Sequence, residues 1–276
     1  MKTQLRGKWV LITGASSGFG AAAARAFGAE GAKLLLGARR IERLQEAAGE
    51  ARSAGALVTD AHPLDVSSTS SVESFMSWAR SKIAGEASSK NPPKLDVLIN
   101  NAGGAHGLDT VADGKDADWE EMLQANVLGV LRVTRAALPL MLQNPGSTII
   151  NIGSVAGHVA YEGGAAYCAA KAGERQITGA LRLELNGTGI RVSTVDPGLA
   201  ETEFSLVRFK GDADRARKVY EGTHPLTAED IAEILVWVAS RPPHVNIDEL
   251  LVKPTDQAAI HKVFRRTPKP STEDRK

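Results

Sequence analysis

A glycine-rich turn between an apolar run and an alanine-rich segment constrains the fold of this chain more than any other feature. Lys8 to Thr13 form the apolar run, the turn Gly14 to Gly20 reads G-A-S-S-G-F-G, and a helical pattern covers Ala21 to Glu30. Strand, glycine turn and helix in this order are the context that a phosphate-binding loop requires. The first glycine permits a tight turn, the second lets the backbone approach a pyrophosphate, and the third permits close helix packing.

The residues in and after this turn indicate which nucleotide it binds. Ser16 and Ser17 add hydroxyl groups, and the chain lacks the G-K-[ST] continuation of a nucleoside-triphosphate loop. An NAD site usually has an acid about 20 residues past the glycines, but here Ala38 is followed by Arg39 and Arg40. An arginine fork can hold the 2′-phosphate of NADP instead, with Arg39 in the main role. The alternative, that both arginines only begin the next helix, is weakened because cations are unfavourable at a helix N-terminus.

Apolar runs and helical patterns alternate along the rest of the chain. This alternation predicts a single doubly wound (Rossmann) α/β domain, a seven-stranded parallel sheet flanked by helices. It covers residues 1–264, contains an irregular, partly helical excursion at 199–226, and is followed by a polar tail, 265–276, that we expect to be disordered. The polar stretch 85–93 is a predicted mobile surface loop. The predicted strands are 8–13, 33–36, 57–62, 95–99, 148–152, 189–195 and 250–252.

Composition narrows the class of protein. The 276 residues are 43% hydrophobic with a net charge of +1, which implies no strong field for nucleic acid. One cysteine excludes an internal disulfide framework and suits a reducing cytosol. No apolar run approaches the ~18 residues of a membrane span, and the polar start is unlike a signal peptide. We therefore expect a cytoplasmic protein with a small-molecule substrate and neither a nucleic-acid nor a membrane partner, and we predict no metal site.

A serine, a tyrosine and a lysine form the candidate reaction centre. Ser154 lies where the strand 148–152 ends, and Tyr167 and Lys171 are four residues apart in a helical, alanine-rich segment. That spacing places the phenol and the ammonium on one helix face, and a nearby cation stabilises a phenolate. Such a tyrosine can exchange protons with a substrate oxygen. The alternative is that the pair is a packing tyrosine beside a solvated charge.

Three further polar residues are candidates for the site, and two of them, Asp65 and Asn126, allow a second interpretation. Asp65 follows the third strand and either accepts from an adenine amino group or caps a turn. Asn101 belongs to N-N-A-G at the carboxyl end of the fourth strand, where open α/β sheets bind ligands. Asn126 lies in the apolar stripe of a helical pattern from Asp118 to Met141, so it is either a structural bridge or part of a polar site.

These motifs occur together and in order: T-G-A-S-S-G-F-G at 13–20, N-N-A-G at 100–103, Asn126, Ser154, Tyr167-x-x-x-Lys171 and Pro197-Gly198. The set resembles the short-chain dehydrogenase/reductase family over nearly the whole chain. V-R-F-K-G-D at 207–212, L-T-A-E-D-I-A-E at 226–233 and P-P-H-V-N-I at 242–247 resemble its NADP-dependent 3-hydroxy acid (serine/allo-threonine) dehydrogenase branch. The resemblance implies hydride transfer between NADP(H) and a small alcohol or carbonyl compound. Alternatives are reduction of another small ketone, aldehyde or sugar, or a non-catalytic NADP-binding regulator.

The resemblance also implies roles for single residues. Tyr167 is the expected acid/base, Lys171 lowers its pKa and holds the nicotinamide ribose, Ser154 binds the reacting oxygen, and Asn126 supports a water leading from Lys171 to solvent. A homotetramer assembled through the helices that carry Asn126 and Tyr167 is implied as well. The implied cofactor contacts are Gly14, Ser16, Gly18, Phe19 and Gly20 at the pyrophosphate, Asp65 and Val66 at the adenine, Asn101 at the adenosine-side ribose, and Pro197, Gly198, Leu199, Thr202, Tyr167 and Lys171 around the nicotinamide.

The excursion at 199–226 is the expected substrate lid. It follows the sixth strand, at the sheet edge where ligands bind. It carries Arg208 and Lys210 among apolar residues, and Arg208 is the expected partner of a substrate carboxylate. The alternative is that both cations are solvated or paired with Glu201, Glu203 or Asp212.

Overall fold

The computed structural model describes residues 4–87 and 92–267 and is built on one parallel sheet. Its seven strands lie in the order β3-β2-β1-β4-β5-β6-β7, which confirms the predicted doubly wound α/β fold. The predicted strand ends are correct to within two residues. The strands are β1 (Trp9–Thr13), β2 (Lys33–Ala38), β3 (Val58–Pro63), β4 (Val97–Asn100), β5 (Thr148–Ile152), β6 (Arg191–Pro197) and β7 (Glu249–Val252).

Helices cover both faces of this sheet. The bounds are α1 (Gly18–Ala29), α2 (Ile41–Ala54), α3 (Thr69–Gly85), α4 (Asp116–Leu123), α5 (Gly129–Met141), α6 (Ala165–Glu184), α7 (Phe204–Arg208), α8 (Ala213–Tyr220) and α9 (Ala228–Ala239). Successive residues of a strand point to opposite faces, so Ile12 packs with α1, α2 and α9 while its neighbour Leu11 packs with α3, α5 and α6. Two buried apolar layers therefore enclose the sheet.

The sheet has a switch point between β1 and β4. Strand order runs outward from β1 through β2 to β3 on one side, and from β4 onward on the other. Connections diverge at such a point and leave a crevice at the carboxyl ends of the strands. The glycine turn after β1 and the N-N-A-G segment after β4 lie on its two sides, so the fold brings both motifs to one place.

The predicted single helix from Asp118 to Met141 contains a wider turn in its middle. Helix α4 ends at Leu123, a π-helical turn covers Gln124–Leu128, and α5 follows. Asn126 lies in this turn, and π turns occur often at functional sites. Pro139 lies in the last turn of α5, as expected.

The segment after β6 carries two short helices, α7 and α8, in the partly helical region predicted at 199–226. The predicted capping box before α9 is confirmed, since Thr227 and Asp230 exchange side-chain-to-backbone hydrogen bonds. Sequence analysis missed an antiparallel hairpin of β8 (Gln257–Ala259) and β9 (Lys262–Val263). In the predicted tail, Arg266 pairs with Asp256; residues 268–276, and residues 88–91 of the predicted surface loop, lie outside the described residues.

Candidate active site

The two loops at the switch point are fastened to each other by Asn101. Its Nδ2 donates to the carbonyl oxygens of Thr13, at 2.9 Å, and Gly14, at 3.1 Å. The Thr13 hydroxyl accepts from the backbone N–H groups of Asn101 and Ala102 in return. A Cβ on Gly20 would lie 2.6 Å from Asn101 Nδ2, and one on Gly14 would lie 2.8 Å from the Ala102 Cα. These two positions therefore require glycine because the neighbouring loop is so close.

The first turn of α1 faces a cationic side chain. Ser17 precedes the helix, and no side chain caps its first N–H groups. The Ser17 hydroxyl accepts a hydrogen bond of 2.6 Å from Arg40, which lies at the end of the β2 loop. Free N–H groups, the positive end of the helix dipole and a guanidinium form a site that fits phosphate groups. Ser16, Gly18 and Phe19 are half-buried in the same turn.

The two arginines after β2 have different partners. The Arg39 guanidinium lies 3.7 Å from the Glu121 carboxylate, with 69% of its side chain exposed. Arg40 instead reaches the turn, so the main role predicted for Arg39 fits Arg40 better. Arg40 and Arg43 both donate to the carboxylate of Glu203. Burial opposes the charge of Glu203, but these two hydrogen bonds outweigh it and lower its pKa.

Helix α6, which carries Tyr167 and Lys171, is fastened to the end of β5 next to Ser154. The Lys171 Nζ donates to the carbonyl oxygen of Ile152 at 2.7 Å, which fastens α6 to the strand end two residues before Ser154. The short turn after Ser154 packs directly on α6, because a Cβ on Gly157 would lie 2.8 Å from the Lys171 carbonyl oxygen. The Ser154 hydroxyl accepts from the Ala156 backbone N–H at 3.1 Å. These contacts hold the end of β5, the turn after Ser154 and the Lys171 turn of α6 together.

Lys171 is buried and ion-paired. Its Nζ lies 2.7 Å from the carboxylate of Glu174, a residue that sequence analysis did not single out although it is three residues along the same helix. Burial works against the ammonium charge, but the attraction of Glu174 outweighs it and raises the pKa of Lys171. Burial raises the pKa of Glu174 to about 7 despite the ammonium beside it. The centre therefore contains a buried acid as well as the expected base, hydroxyl and cation.

Asn126 uses its side chain as a bridge. Its Nδ2 donates to the carbonyl oxygens of Met122, at 2.8 Å, and Gly104, at 2.9 Å, and its Oδ1 accepts from the Gly104 N–H. The amide thus holds the π turn against the loop after N-N-A-G, which fits the structural interpretation left open by the sequence. A water leading from Lys171 remains a prediction.

The positions implied at the adenine and nicotinamide ends are held by loop contacts. Asp65 accepts from the backbone N–H of Ser67 at 2.9 Å, as expected of a turn residue, and Val66 beside it is buried. After β6, Pro197 ends the strand, and the Leu199 N–H donates to Gln257 at 2.7 Å. Gly198 is pressed against the same Gln257 amide. Gln257 is a further residue at the site that sequence analysis missed, since it comes from the unpredicted hairpin.

Three residues of the excursion at 199–226, the predicted lid, pack against this centre. Thr202 packs above the glycine turn, where a Cβ on Gly18 would lie 3.5 Å from the Thr202 Cβ. Phe204 packs on the Tyr167 ring with 5.6 Å between ring centres, and the guanidinium carbon of Arg208 lies 5.6 Å from the centre of the same ring. Arg208 also donates to the Gly107 carbonyl oxygen. Lys210 is turned away and pairs with Asp118.

Comparison with known proteins decides the family. The model of the family described as short chain dehydrogenase matches residues 8–211. This chain belongs to that family. Membership makes it an oxidoreductase that acts on a CH–OH group, as predicted, and its doubly wound sheet is the fold of the solved family members that it resembles.

Several well-described relatives are similar over almost the whole chain. An "NADP-dependent 3-hydroxy acid dehydrogenase" from Schizosaccharomyces pombe is 42% identical over 265 residues, covering 96% of this chain and 99% of the relative. "Sulfoacetaldehyde reductase 2" from Chromohalobacter salexigens is 43% identical over 250 residues, covering 90% and 95%. The solved "closed form of serine dehydrogenase complexed with NADP+" is 39% identical with a TM-score of 0.82, covering 94% of this chain and all of that one.

Two other properties concern the described part of the chain alone. Within residues 4–87 and 92–267, no three His, Cys, Asp or Glu side chains are grouped to hold a metal ion. No helix in this part is long and apolar enough to cross a membrane.

Proposed function

We propose that this family member interconverts a small 3-hydroxy acid, such as serine, allo-threonine or 3-hydroxyisobutyrate, and its carbonyl form with NADP(H). The observation that carries the proposal is the position of Arg208, whose guanidinium lies against the ring of Tyr167. Among the described residues 199–226, the basic side chains of Lys210 and Arg217 form ion pairs with Asp118 and Asp214, whereas no ion pair includes Arg208. A cation beside the acid/base residue, with no protein anion to neutralise it, is available to a substrate anion.

NADP is the cofactor that the residues around the glycine turn fit. The close-packed glycine turn and the uncapped N-terminus of α1 would hold the pyrophosphate, and Arg40 would hold the 2′-phosphate, with Arg39 more distant. Asp65, Val66 and Asn101 would surround the adenosine end, and Pro197, Gly198, Leu199 and Thr202 the nicotinamide end. The bound cofactor would supply the hydride chemistry, with NADP+ as the acceptor in alcohol oxidation and NADPH as the donor in carbonyl reduction.

The chain's own residues handle the proton and the orientation of the substrate. In the oxidising direction the Tyr167 phenolate takes the proton of the substrate hydroxyl, and in reduction the phenol returns it. Ser154 donates a hydrogen bond to the same oxygen, and the buried ammonium of Lys171 favours the phenolate. Arg208 holds the carboxylate, which fixes the reacting carbon relative to Tyr167. Phe204 and the lid exclude water from the phenol.

A second candidate is reduction of a small sulfonated aldehyde. It is favoured by the name of the relative from Chromohalobacter salexigens, and a sulfonate would meet Arg208 as a carboxylate does. Reduction of an uncharged ketone, aldehyde or sugar would leave Arg208 without an anionic partner. A non-catalytic NADP-binding regulator would have no use for an acid/base tyrosine held beside a buried lysine.

The test is a substrate screen in which the absorbance of NADPH reports turnover. Serine, allo-threonine, 3-hydroxyisobutyrate and their methyl esters are oxidised with NADP+, and sulfoacetaldehyde and neutral carbonyl compounds are reduced with NADPH. We expect the hydroxy acids to have the highest kcat/KM and their esters to be poor. A neutral ketone or sugar that is turned over far better than every anion would contradict the proposal.

The same assay tests the acid/base residue. Tyr167→Phe should lower kcat by roughly 10²- to 10⁴-fold, the usual contribution of a general acid/base, while the protein still binds NADPH. Fluorescence titration of NADPH checks that binding is retained. Wild-type kcat in the Phe variant would mean that another group moves the proton.

We also propose a homotetramer and a cytoplasmic location. The helices that carry Asn126 and Tyr167 expose large apolar side chains, with Leu131 42% and Leu183 81% exposed, which supports burial against other copies. Ala165, Ala166, Ala169 and Ala172 would permit close helix approach. The single, unpaired Cys168 suits a reducing compartment. Sedimentation analysis and cell fractionation test the two proposals separately.

A further inference from the structure

A buried glutamate lies behind the reaction centre. Glu174 is three residues after Lys171 and seven after Tyr167, so all three lie on one face of α6. Its side chain is only 2% exposed. A carboxylate is rarely buried to this extent without a specific partner. Its partner here is the ammonium that is expected to act on Tyr167.

The ammonium of Lys171 has three N–H groups, and the protein uses two of them. One donates to the Ile152 carbonyl oxygen and one to Glu174 Oε2, both at 2.7 Å. The third is left for the ribose and the phenol. We infer that Glu174 is a positioning residue, which orients the Lys171 ammonium toward Tyr167 and reduces the ammonium's effect on the phenolate. This inference rests on the proposed acid/base role of Tyr167.

The remaining contacts of Glu174 argue against a role in stability alone. Its other oxygen, Oε1, is buried and has no hydrogen-bond partner among the described residues. An unsatisfied buried acceptor costs stability. A residue selected only to hold α6 in place would use both oxygens or be apolar. The contact that Glu174 does make is the one with the reaction centre.

Other charged groups face this pair from the neighbouring elements. Asp196 on β6 is 1% exposed and adds negative potential at both Lys171 and Glu174. Its Oδ2 lies 2.6 Å from His158 Nε2 in the turn after β5, and its Oδ1 accepts from Thr194. Since Asp196 has these partners of its own, Glu174 is the anion that directly opposes the ammonium.

The expected electrostatic effect has a definite sign. An anion near Tyr167 disfavours the phenolate, so removing the anion should favour the phenolate. Seven residues of helix separate the two groups by roughly 10 Å, which corresponds to a shift of about one pH unit at the effective dielectric of a protein site.

The experiment measures this shift in two ways in Glu174→Gln. The ultraviolet absorbance of tyrosinate is titrated in the cofactor-free protein, and the titration of the matching Tyr167→Phe double variant is subtracted to isolate Tyr167. The acid limb of kcat against pH is measured with NADP+ and the best substrate. Both should move to lower pH by roughly half a unit or more. Glu184→Gln, which changes an exposed carboxylate on the same helix, should move neither.

Two outcomes would overturn the inference. One is a Gln variant that melts at a different temperature but keeps both titrations of the wild type, because that is the signature of a structural role. If the Gln variant does not fold, Glu174→Asp decides, since a shorter carboxylate keeps the charge but not the reach to Nζ. The Glu174→Asp substitution should lower kcat at least about threefold without moving the acid limb. The second outcome that would overturn the inference is a Glu174→Asp variant with the kcat of the wild type.

A failure of this inference can be distinguished from a failure of the proposed function. If Tyr167→Phe is inactive while Glu174→Gln matches the wild type, only the positioning role fails. If Tyr167→Phe is fully active, the acid/base assignment fails, and the tyrosinate titration still reports whether Glu174 acts on the phenol.

Discussion

The guanidinium carbon of Arg208 lies 5.6 Å from the centre of the Tyr167 ring. The two residues come from different elements, the lid helix α7 and the site helix α6, and Arg208 is further fixed by its hydrogen bond to the Gly107 carbonyl oxygen. The lid thereby places a positive charge within reach of a substrate that is bound at the phenol. Tyr161, whose ring is 5.4 Å from the same guanidinium, extends this surface.

The first prediction concerns this cation. Arg208→Gln should raise KM for a 3-hydroxy acid roughly tenfold or more, because a charge-assisted hydrogen bond contributes roughly 1.5–3 kcal/mol. KM for the methyl ester should change little, since only the acid loses an ion pair. Lys210→Gln is the matched control, because Lys210 pairs with Asp118 and should leave both KM values near those of the wild type. Equal effects of the two substitutions would refute the assignment.

The second prediction ranks the arginines after β2. Arg40→Ala should lower kcat/KM for NADPH roughly tenfold and leave NADH use nearly unchanged, because Arg40 reaches the glycine turn through Ser17. Arg39→Ala should have a much smaller effect, since its side chain is mostly exposed and lies near Glu121. Steady-state kinetics with both cofactors make the comparison. A larger loss in the Arg39 variant would restore the order expected from the sequence.

The third prediction concerns Glu203, the carboxylate that pairs with Arg40 and Arg43. Glu203 accepts from both Arg40 and Arg43, so a 2′-phosphate has to compete with it. Glu203→Gln should therefore lower the Kd of NADP by up to about fivefold, the value of an exposed ion pair, and the gain should shrink in high salt. The Kd of NAD should not change. Calorimetry measures both, with the exposed Glu201→Gln as control; weaker NADP binding would show that Glu203 supports the site.

The fourth prediction follows from the raised pKa of Glu174. The pKa of the Glu174 carboxyl is 4.5 in the unfolded chain and about 7 in the folded protein. Between these values the folded state binds the extra proton, so this contribution to stability is complete below about 4.5 and is lost as the pH rises toward 7. The wild type should lose stability relative to Glu174→Gln over this range, by at most about 1.4 kcal/mol per pH unit. Urea unfolding at several pH values tests it, and a constant difference would contradict the raised pKa.

Most of the fold could be predicted because its signals are local. Strands such as Thr148–Ile152 are short apolar runs that are buried on both faces, and the turns between them carry glycine or capping residues. The wide turn at Gln124–Leu128 could not be predicted, because its bridge from Asn126 to Gly104 connects segments that are distant in sequence. The hairpin near Gln257 was missed since its strands are very short and lack an apolar alternation.

The residues of the site also divide into those that the sequence could predict and those that it could not. Helical spacing predicts that Tyr167 and Lys171 lie on one face, and extending that spacing by one more turn would have identified Glu174. Its burial against the ammonium, however, depends on the packing of α6 on the sheet. The choice between Arg39 and Arg40 depends on the direction of two side chains at the end of a loop, which no spacing encodes.

The amide of Asn101 has one more consequence. Because it ties the carbonyl oxygens of Thr13 and Gly14 to the loop after β4, the shape of the glycine turn is held by the protein's own hydrogen bonds. Ordering a flexible loop on binding would consume part of the interaction free energy, and here little of that cost remains. The glycine turn is thus preorganised by the amide of a residue from the neighbouring loop.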